Sequence, residues 1–205
     1  MSAIHSPSRP ADFIGGARKV GDILAAKAVR LRKADSGNLK ALLYGPPGVG
    51  KTAVARMVAQ SIGSPFSLEA VNGRSVSVAL VQEWQRQAAY RSMFDGFTVR
   101  IVDELDTCPP AAQDLLLTFL DNLPDGWAFL GTSNLDLNQL VPRLQTRLQH
   151  FKVEAPVTSE LTKFLRGVAR VPETVAAQIA VGSAGNVRAA LLDLESWQDV
   201  QHART

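Results

Sequence analysis

The alternation of apolar and polar residues divides the chain into two parts with different patterns. In the first part, apolar runs of strand length alternate with longer segments in which apolar residues recur every three or four positions, as in helices. The predicted strands are residues 41–44, 66–71, 97–102, 127–133 and 150–154. The predicted helices are residues 17–33, 50–62, 76–92 and 111–123. In the first of these helices, the residues at helical spacing are Val20, Ile23, Leu24, Ala28 and Leu31. This order indicates crossover connections and an α/β fold with a mostly parallel sheet flanked by helices.

The second part of the chain contains only helical patterns, at residues 159–170, 172–182 and 186–200. The boundary between the two patterns falls in "APVT", at residues 155–158. We therefore predict an α/β domain at residues 1–155, followed by a small and shortened α-helical domain at residues 156–205.

A glycine- and proline-rich loop, "GPPGVGKT", joins the first predicted strand to the second predicted helix and fits the pattern G-x-x-x-x-G-K-[ST]. Its small residues let backbone amides converge on a phosphate, and the N-terminal end of the helix attracts the anion. Lys51 would reach the β- and γ-phosphates, and the Thr52 hydroxyl would ligate Mg²⁺. The predicted nucleotide contacts of this segment are Gly45, Pro46, Pro47, Gly48, Val49, Gly50, Lys51, Thr52 and Ala53.

Two carboxylates, Asp103 and Glu104, follow the apolar strand in "VRIVDELD". Ligands of open α/β sheets bind at these carboxyl ends of the strands. Asp103 would hold Mg²⁺ through water, and Glu104 would act as the general base that polarises an attacking water. A small-molecule kinase has no use for a carboxylate that activates water, so the pair favours hydrolysis. The alternative is a solvated acidic loop before a helix.

The composition of the chain mainly excludes some classes of protein, namely disulfide-rich, membrane-spanning and secreted ones. Cys108 is the one cysteine, so an internal disulfide framework is impossible and a reducing cytoplasm is the expected location. No apolar run approaches the roughly 18 residues of a membrane helix, and the N-terminus lacks the apolar core of a signal peptide. Residues 1–40 carry eight Lys/Arg against three Asp, a surplus of five in a chain of net charge +3. A basic face can attract nucleic acid, although on charge alone a solvated helix surface is the favoured interpretation.

Over nearly its whole length the chain resembles AAA+ ATPases, and within them the clamp-loader branch. The resemblance lies in "RPADFIGGARKVGDIL", "GPPGVGKT", "VDELDTCPPAAQDLLLTFLD", "FLGTSN", "LVPRLQTRLQHFKV" and "GNVRAALLDLE". It implies a P-loop NTPase sheet with a helical lid, and Mg²⁺-dependent hydrolysis of ATP to ADP and phosphate. "TRLQ" replaces the commoner "SRC" or "SRF", and three predicted lid helices replace the usual four.

The resemblance also implies roles for further residues. Backbone around Phe13 and Ile14, in an N-terminal segment of residues 1–16, would contact adenine. Asn134 would be sensor 1, which orients the water that Glu104 activates or touches the γ-phosphate; an ordinary turn asparagine is the alternative. Arg188 would be sensor 2 and would reach the γ-phosphate from the lid; a surface arginine is the alternative.

Arg147 takes the arginine-finger position, and the resemblance implies that it acts in trans on the nucleotide of a neighbouring subunit. We therefore expect a homo- or hetero-oligomer of AAA+ subunits, and we rank Arg143 as the second candidate for the finger. Asn72 would restrain Glu104, although a turn-forming Asn-Gly is nearly as good an interpretation. The collar of clamp loaders is not found before Thr205, so ring formation is expected to use AAA+ contacts alone or a partner protein that supplies a collar.

The leading functional hypothesis is an ATPase that acts with DNA in replication, recombination or transposition. In clamp loaders the segment after the second strand faces the channel, where cationic and hydroxyl side chains can track phosphates without reading sequence. The candidates in this chain are Arg74, Ser75, Ser77, Arg86 and Arg91. A protein-remodelling ATPase is the alternative, but "VNGRSVS" lacks an aromatic–glycine pore loop. A switch or adaptor with little turnover is disfavoured by Glu104 and Arg147.

Overall fold

The structure is a computed structural model that describes residues 7–90 and 96–203, apart from the side chains of residues 64 and 65. Its strands are β1 (Leu39–Tyr44), β2 (Gly63–Asn72), β3 (Phe97–Asp103), β4 (Trp127–Ser133) and β5 (Gln149–Lys152). They form one sheet in the order β2-β3-β4-β1-β5, and every neighbouring pair is parallel. The predicted parallel α/β sheet is confirmed. Arg91 lies outside the described residues.

The described part of the chain contains eight α-helices, of which seven follow the predicted pattern and one is an addition. They are α1 (Gly15–Ala34), α2 (Lys51–Ile62), α3 (Val78–Ala88), α4 (Pro110–Asp121), α5 (Pro142–Gln145), α6 (Thr158–Val168), α7 (Glu173–Gly182) and α8 (Val187–His202). The single turn α5 was not predicted, because four residues are too few for a helical period to show. Within the described residues, no helix is both long enough and apolar enough to cross a membrane.

The sheet is covered on both faces, which places its carboxyl edge between two packed layers. Successive side chains of a strand point to opposite faces. In β1, Ala41 and Leu43 pack with α1 and α2, whereas Leu42 packs with α3 and α4. The expectation for α1 is wrong at Ile23, which is 54% exposed because the buried stripe runs through Val20 and Leu24.

The helices α6, α7 and α8 share a small core of their own, built on Leu161, Leu165, Ala180 and Leu194. Ile14, just before α1, packs against this core. The N-terminal segment therefore lies between the sheet and the three helices, which we call the lid. The division into two domains at residue 155 stays a prediction.

A buried charge in β3 ties the sheet to α3. The Arg100 guanidinium lies 5.1 Å from the ring centroid of Trp127 and 5.9 Å from that of Trp84. Its Nε is 3.2 Å from Glu69 Oε2, while Trp84 Nε1 donates to the same carboxylate oxygen at 2.8 Å. Burial lowers the pKa of Arg100, and the charge of Glu69 opposes this shift. These contacts fix α3, which begins beside the carboxyl edge of the sheet.

Candidate functional site

The loop between β1 and α2 depends on glycine at two positions. Gly45 has φ of +139°, and a Cβ there would lie 2.4 Å from the Val153 carbonyl oxygen of the segment after β5. Gly50 has φ of +102° and immediately precedes α2. Positive φ and close backbone approach both favour glycine, so the local sequence fixes the shape of this loop.

Lys51 is buried at the start of α2, with 5% of its surface exposed. Its Nζ donates to the carbonyl oxygens of Gly45 (2.9 Å) and Pro46 (2.7 Å), and to Asn134 Oδ1 (2.8 Å). Burial lowers the pKa of Lys51 to about 8; the charge of Asp103 opposes the shift. The structure thus brings the predicted lysine and the predicted sensor 1 asparagine into direct contact across 83 residues of sequence.

Oxygen ligands suited to a divalent cation lie side by side at the ends of α2 and β3. Thr52 Oγ1 donates to Asp103 Oδ1 at 2.7 Å, and the buried Thr132 of β4 donates to the same carboxylate oxygen. A hydroxyl beside a carboxylate fits Mg²⁺, which commonly takes few protein ligands and completes its shell with water and phosphate. The described part of the chain contains no group of three or more His, Cys, Asp or Glu placed to hold a metal ion.

Thr132 was missed by sequence reasoning. Besides its bond to Asp103, its Oγ1 accepts from the Glu104 backbone N at 3.1 Å. It therefore supports both predicted acidic residues. The available signal was its place in "GTSN", two residues before Asn134, on a strand expected beside the acidic one.

Glu104 has a left-handed backbone conformation, with φ of 54°. This conformation costs a non-glycine residue roughly 1 kcal/mol or more and is enriched at functional sites. Asn72 Nδ2 donates to Glu104 Oε2 at 3.2 Å, while Asn72 Oδ1 accepts from the Arg74 backbone N at 3.0 Å. Both interpretations of Asn72 thus describe real contacts, since its amide holds Glu104 and also shapes the turn.

The N-terminus of α8 lies directly against the loop between β1 and α2. The Arg188 backbone N donates to the Gly48 carbonyl oxygen at 3.1 Å. Asn186 Oδ1 accepts from the Ala189 backbone N at 3.0 Å, and a Cβ on Gly48 would lie only 1.8 Å from that same side-chain oxygen. Asn186 is therefore the N-cap of α8, and Gly48 lets the lid approach the loop closely.

A cavity of about 480 Å³ lies between the sheet and the lid. The predicted residues that line it include Phe13, Ile14, residues 47–53, Asp103, Glu104, Asn134 and Arg188. Gly45 and Pro46 do not line it; their carbonyl oxygens bind Lys51 instead. The lid also contributes an apolar part of the lining, formed by Phe164, Val187, Leu191 and Leu192. This part was not predicted, because the helical pattern of α6 and α8 does not distinguish core residues from cavity residues. The volume and the mixed lining suit a small-molecule ligand.

Arg147 does not line the cavity of its own chain. It follows α5, and its Nε lies 2.8 Å from Asp121 Oδ1 at the end of α4. Its Nη1 donates to the Arg143 carbonyl oxygen at 2.9 Å. The structure therefore separates this residue from the other predicted site residues, which is the arrangement that action in trans requires.

A family model, "ATPase family associated with various cellular activities (AAA)", matches residues 41–157, from β1 to the start of the lid. The chain is 30% identical over 206 residues to Replication-associated recombination protein A of Bacillus subtilis, covering 92% of this chain and 45% of that protein. It is 31% identical over 128 residues to Replication factor C subunit 5 of Homo sapiens, covering 58% of this chain and 37% of that protein. The chain thus spans less than half the length of these relatives.

Solved structures show the same fold. The RuvB Holliday junction branch migration motor of Thermotoga maritima superposes with a TM-score of 0.76 at 19% identity, covering 95% of this chain and 65% of that one. The predicted resemblance to AAA+ ATPases is confirmed by the family model. The predicted resemblance to the clamp-loader branch is confirmed by the relatives, which include a replication factor C subunit beside recombination proteins. By the match to the family model and by its fold, the chain belongs to the AAA family of ATPases.

Proposed function

We propose that this chain hydrolyses ATP in the cavity between sheet and lid, at subunit interfaces, and that hydrolysis drives a DNA-associated process of replication or recombination. One observation carries the proposal. Lys51, the Thr52–Asp103 pair and Glu104 converge on a single cavity at the carboxyl edge of the parallel sheet. This edge is where open α/β sheets bind their ligands.

Each residue has a defined part in hydrolysis. The Lys51 ammonium group stabilises charge on the β- and γ-phosphates, and Thr52 with Asp103 would hold Mg²⁺. That ion, when bound, neutralises charge on the phosphate oxygens. Glu104 accepts the proton of the attacking water, and Asn134 orients this water or contacts the γ-phosphate.

The remaining predicted residues recognise the nucleotide and complete the site. Backbone at Phe13 and Ile14, together with the apolar part of the lid lining, accommodates the adenine ring. Arg188 approaches the γ-phosphate from the lid, so lid position depends on the nucleotide. Arg147 acts on the nucleotide of a neighbouring subunit in a homo- or hetero-oligomer. A partner protein is one possible source of the collar that clamp loaders use. The expected location is the cytoplasm.

The DNA role is supported by the relatives and by an exposed surface. The relatives are named for replication and recombination. Arg74, Ser75 and Ser77 are exposed just before α3, where cationic and hydroxyl side chains can contact phosphates without reading sequence. The Ser77 hydroxyl also accepts from the Leu80 backbone N at 3.1 Å. Arg86 is exposed as well but pairs with Glu83.

The test is ATP turnover with and without double- or single-stranded DNA at one stated salt concentration, because phosphate contacts weaken as salt rises. We expect DNA to raise turnover severalfold, and Arg74→Ala to weaken this stimulation without changing basal turnover. Arg170→Ala, which removes an exposed arginine from the lid, is the matched control and should respond as the wild type does. Turnover that ignores DNA but rises with unfolded polypeptide would favour protein remodelling instead. Binding of ATP with almost no turnover would favour a switch.

A further inference from the structure

The arginine-finger candidate is held in place by its own subunit. Arg147 Nε lies 2.8 Å from Asp121 Oδ1, and Nη1 donates to the Arg143 carbonyl oxygen at 2.9 Å and to Thr146 Oγ1 at 3.4 Å. Nε is buried, but its N–H makes no aligned hydrogen bond, so Asp121 acts on it by charge at short range. Among the described residues, Nη2 has no hydrogen-bond partner, which leaves one edge of the guanidinium for another molecule.

The position of Asp121 is unfavourable for the helix that carries it. Asp121 is the last residue of α4, where the negative end of the helix dipole repels a carboxylate. The ion pair with Arg147 does not compensate strongly, because the two side chains are 49% and 29% exposed, and exposed ion pairs contribute little to stability. A contribution to fold stability therefore explains poorly why a carboxylate is present at residue 121. A role in fixing the orientation of the Arg147 guanidinium explains it directly.

The helix α4 links this carboxylate to the hydrolysis site of the same subunit. It begins at Pro110, shortly after Glu104, and extends for 12 residues, or about 18 Å. The buried Leu116 and Leu120 fix it against the sheet. Asp121 therefore sits on a rigid element whose first turn is adjacent to the acidic end of β3.

We infer that Asp121 is a positioning residue for Arg147, which holds the guanidinium in the orientation that it presents to the nucleotide of a neighbouring subunit. The inference rests on the proposed function of Arg147. If residue 121 is uncharged, Arg147 stays in place but its guanidinium is no longer held in one orientation. Small errors of position at a reacting centre lower the reaction rate strongly.

The test compares Asp121→Asn with Asp114→Asn, which removes an exposed carboxylate from the same helix. We expect Asp121→Asn to lower kcat by about tenfold to a hundredfold, with KM for ATP unchanged because Asp121 does not line the cavity. Asp114→Asn should keep wild-type turnover, and Asp121→Glu should recover part of the loss. Thermal unfolding should give nearly the same midpoint for all three variants.

The double variant Asp121→Asn with Arg147→Ala separates positioning from a structural role. If Asp121 acts through Arg147, the double variant is no slower than Arg147→Ala alone. Further loss in the double variant, or wild-type kcat in Asp121→Asn, would overturn the inference while leaving the proposed function intact. Wild-type turnover in Arg147→Ala, or no turnover in the wild type, would refute the proposed function and the inference together.

Discussion

At the scale of single residues, the site depends on charges held in unusual surroundings. Lys51 keeps its ammonium group in a buried position by donating three hydrogen bonds. Burial still disfavours the charged form, which is why the pKa of Lys51 falls to about 8. Binding of a phosphate supplies negative charge at that position and favours the protonated lysine.

This gives a pH dependence with a defined sign. Because the unliganded lysine loses its proton as pH rises through about 8, we expect ATP binding to take up a proton and ATP affinity to fall as pH rises. Calorimetry with Mg-ATP in buffers of different ionisation enthalpy should show uptake near zero at pH 7, about half a proton at pH 8, and more at pH 9. Uptake that stays near zero across this range would contradict the lowered pKa.

At the scale of elements, two short turns meet at the general-base candidate. Asn72 ends β2 and is followed by a turn that begins at Gly73, and the turn after β3 carries Glu104 and Thr107. A Cβ on Gly73 would lie 2.2 Å from the Glu104 carbonyl oxygen and 2.7 Å from Thr107 Oγ1. This close approach allows the hydrogen bond from Asn72 to Glu104.

We therefore expect Gly73→Ala to separate the two turns and to destabilise the fold by about 1–3 kcal/mol, as overpacking does. Gly167→Ala is the matched control, because a Cβ on this residue of α6 meets no atom within 4 Å. That substitution should stabilise the lid helix by roughly 0.5–1 kcal/mol through helix propensity. Denaturant unfolding measures both changes, and equal stability of the two variants would show that the turns do not restrict residue 73.

Element prediction succeeded where one face of a helix or strand is buried, and it failed in two instructive places. β4 has the bounds that its apolar run predicts. β2 is longer than its apolar run, because pairing with β3 begins already at Gly63 opposite Phe97. In α1, Ile23 has the spacing of a core residue but is exposed to solvent, since one buried stripe of residues is enough to pack the helix against the sheet domain.

At the scale of the whole molecule, lid residues form one wall of the cavity, whereas Arg147 lies outside its lining. The α8 cap contacts Gly48, so the lid and the loop lie in direct contact. Under the proposed role of Arg147, a hydrolysis site is complete only when another subunit supplies the finger.

Mixing experiments test that arrangement. Arg147→Ala should lower turnover by orders of magnitude, because finger removal withdraws charge stabilisation from the transition state. Glu104→Gln should bind ATP but not hydrolyse it. A mixture of the two variants should recover turnover that neither has alone, because Glu104→Gln subunits contribute intact fingers to Arg147→Ala sites. If no mixing ratio restores turnover in steady-state assays, Arg147 does not act in trans.

The sequence by itself determined most of the elements, the shape of the glycine-rich loop and the adjacency of Asp103 and Glu104, because these depend on local periodicity, glycine conformations and residues close together in the chain. Only the tertiary structure decided how Lys51 meets Asn134, how Thr132 joins Asp103 to Glu104, and how Asp121 holds Arg147. It also decided which lid residues line the cavity. These contacts join residues from different elements, and their distances depend on strand order and helix packing, which local pattern does not encode.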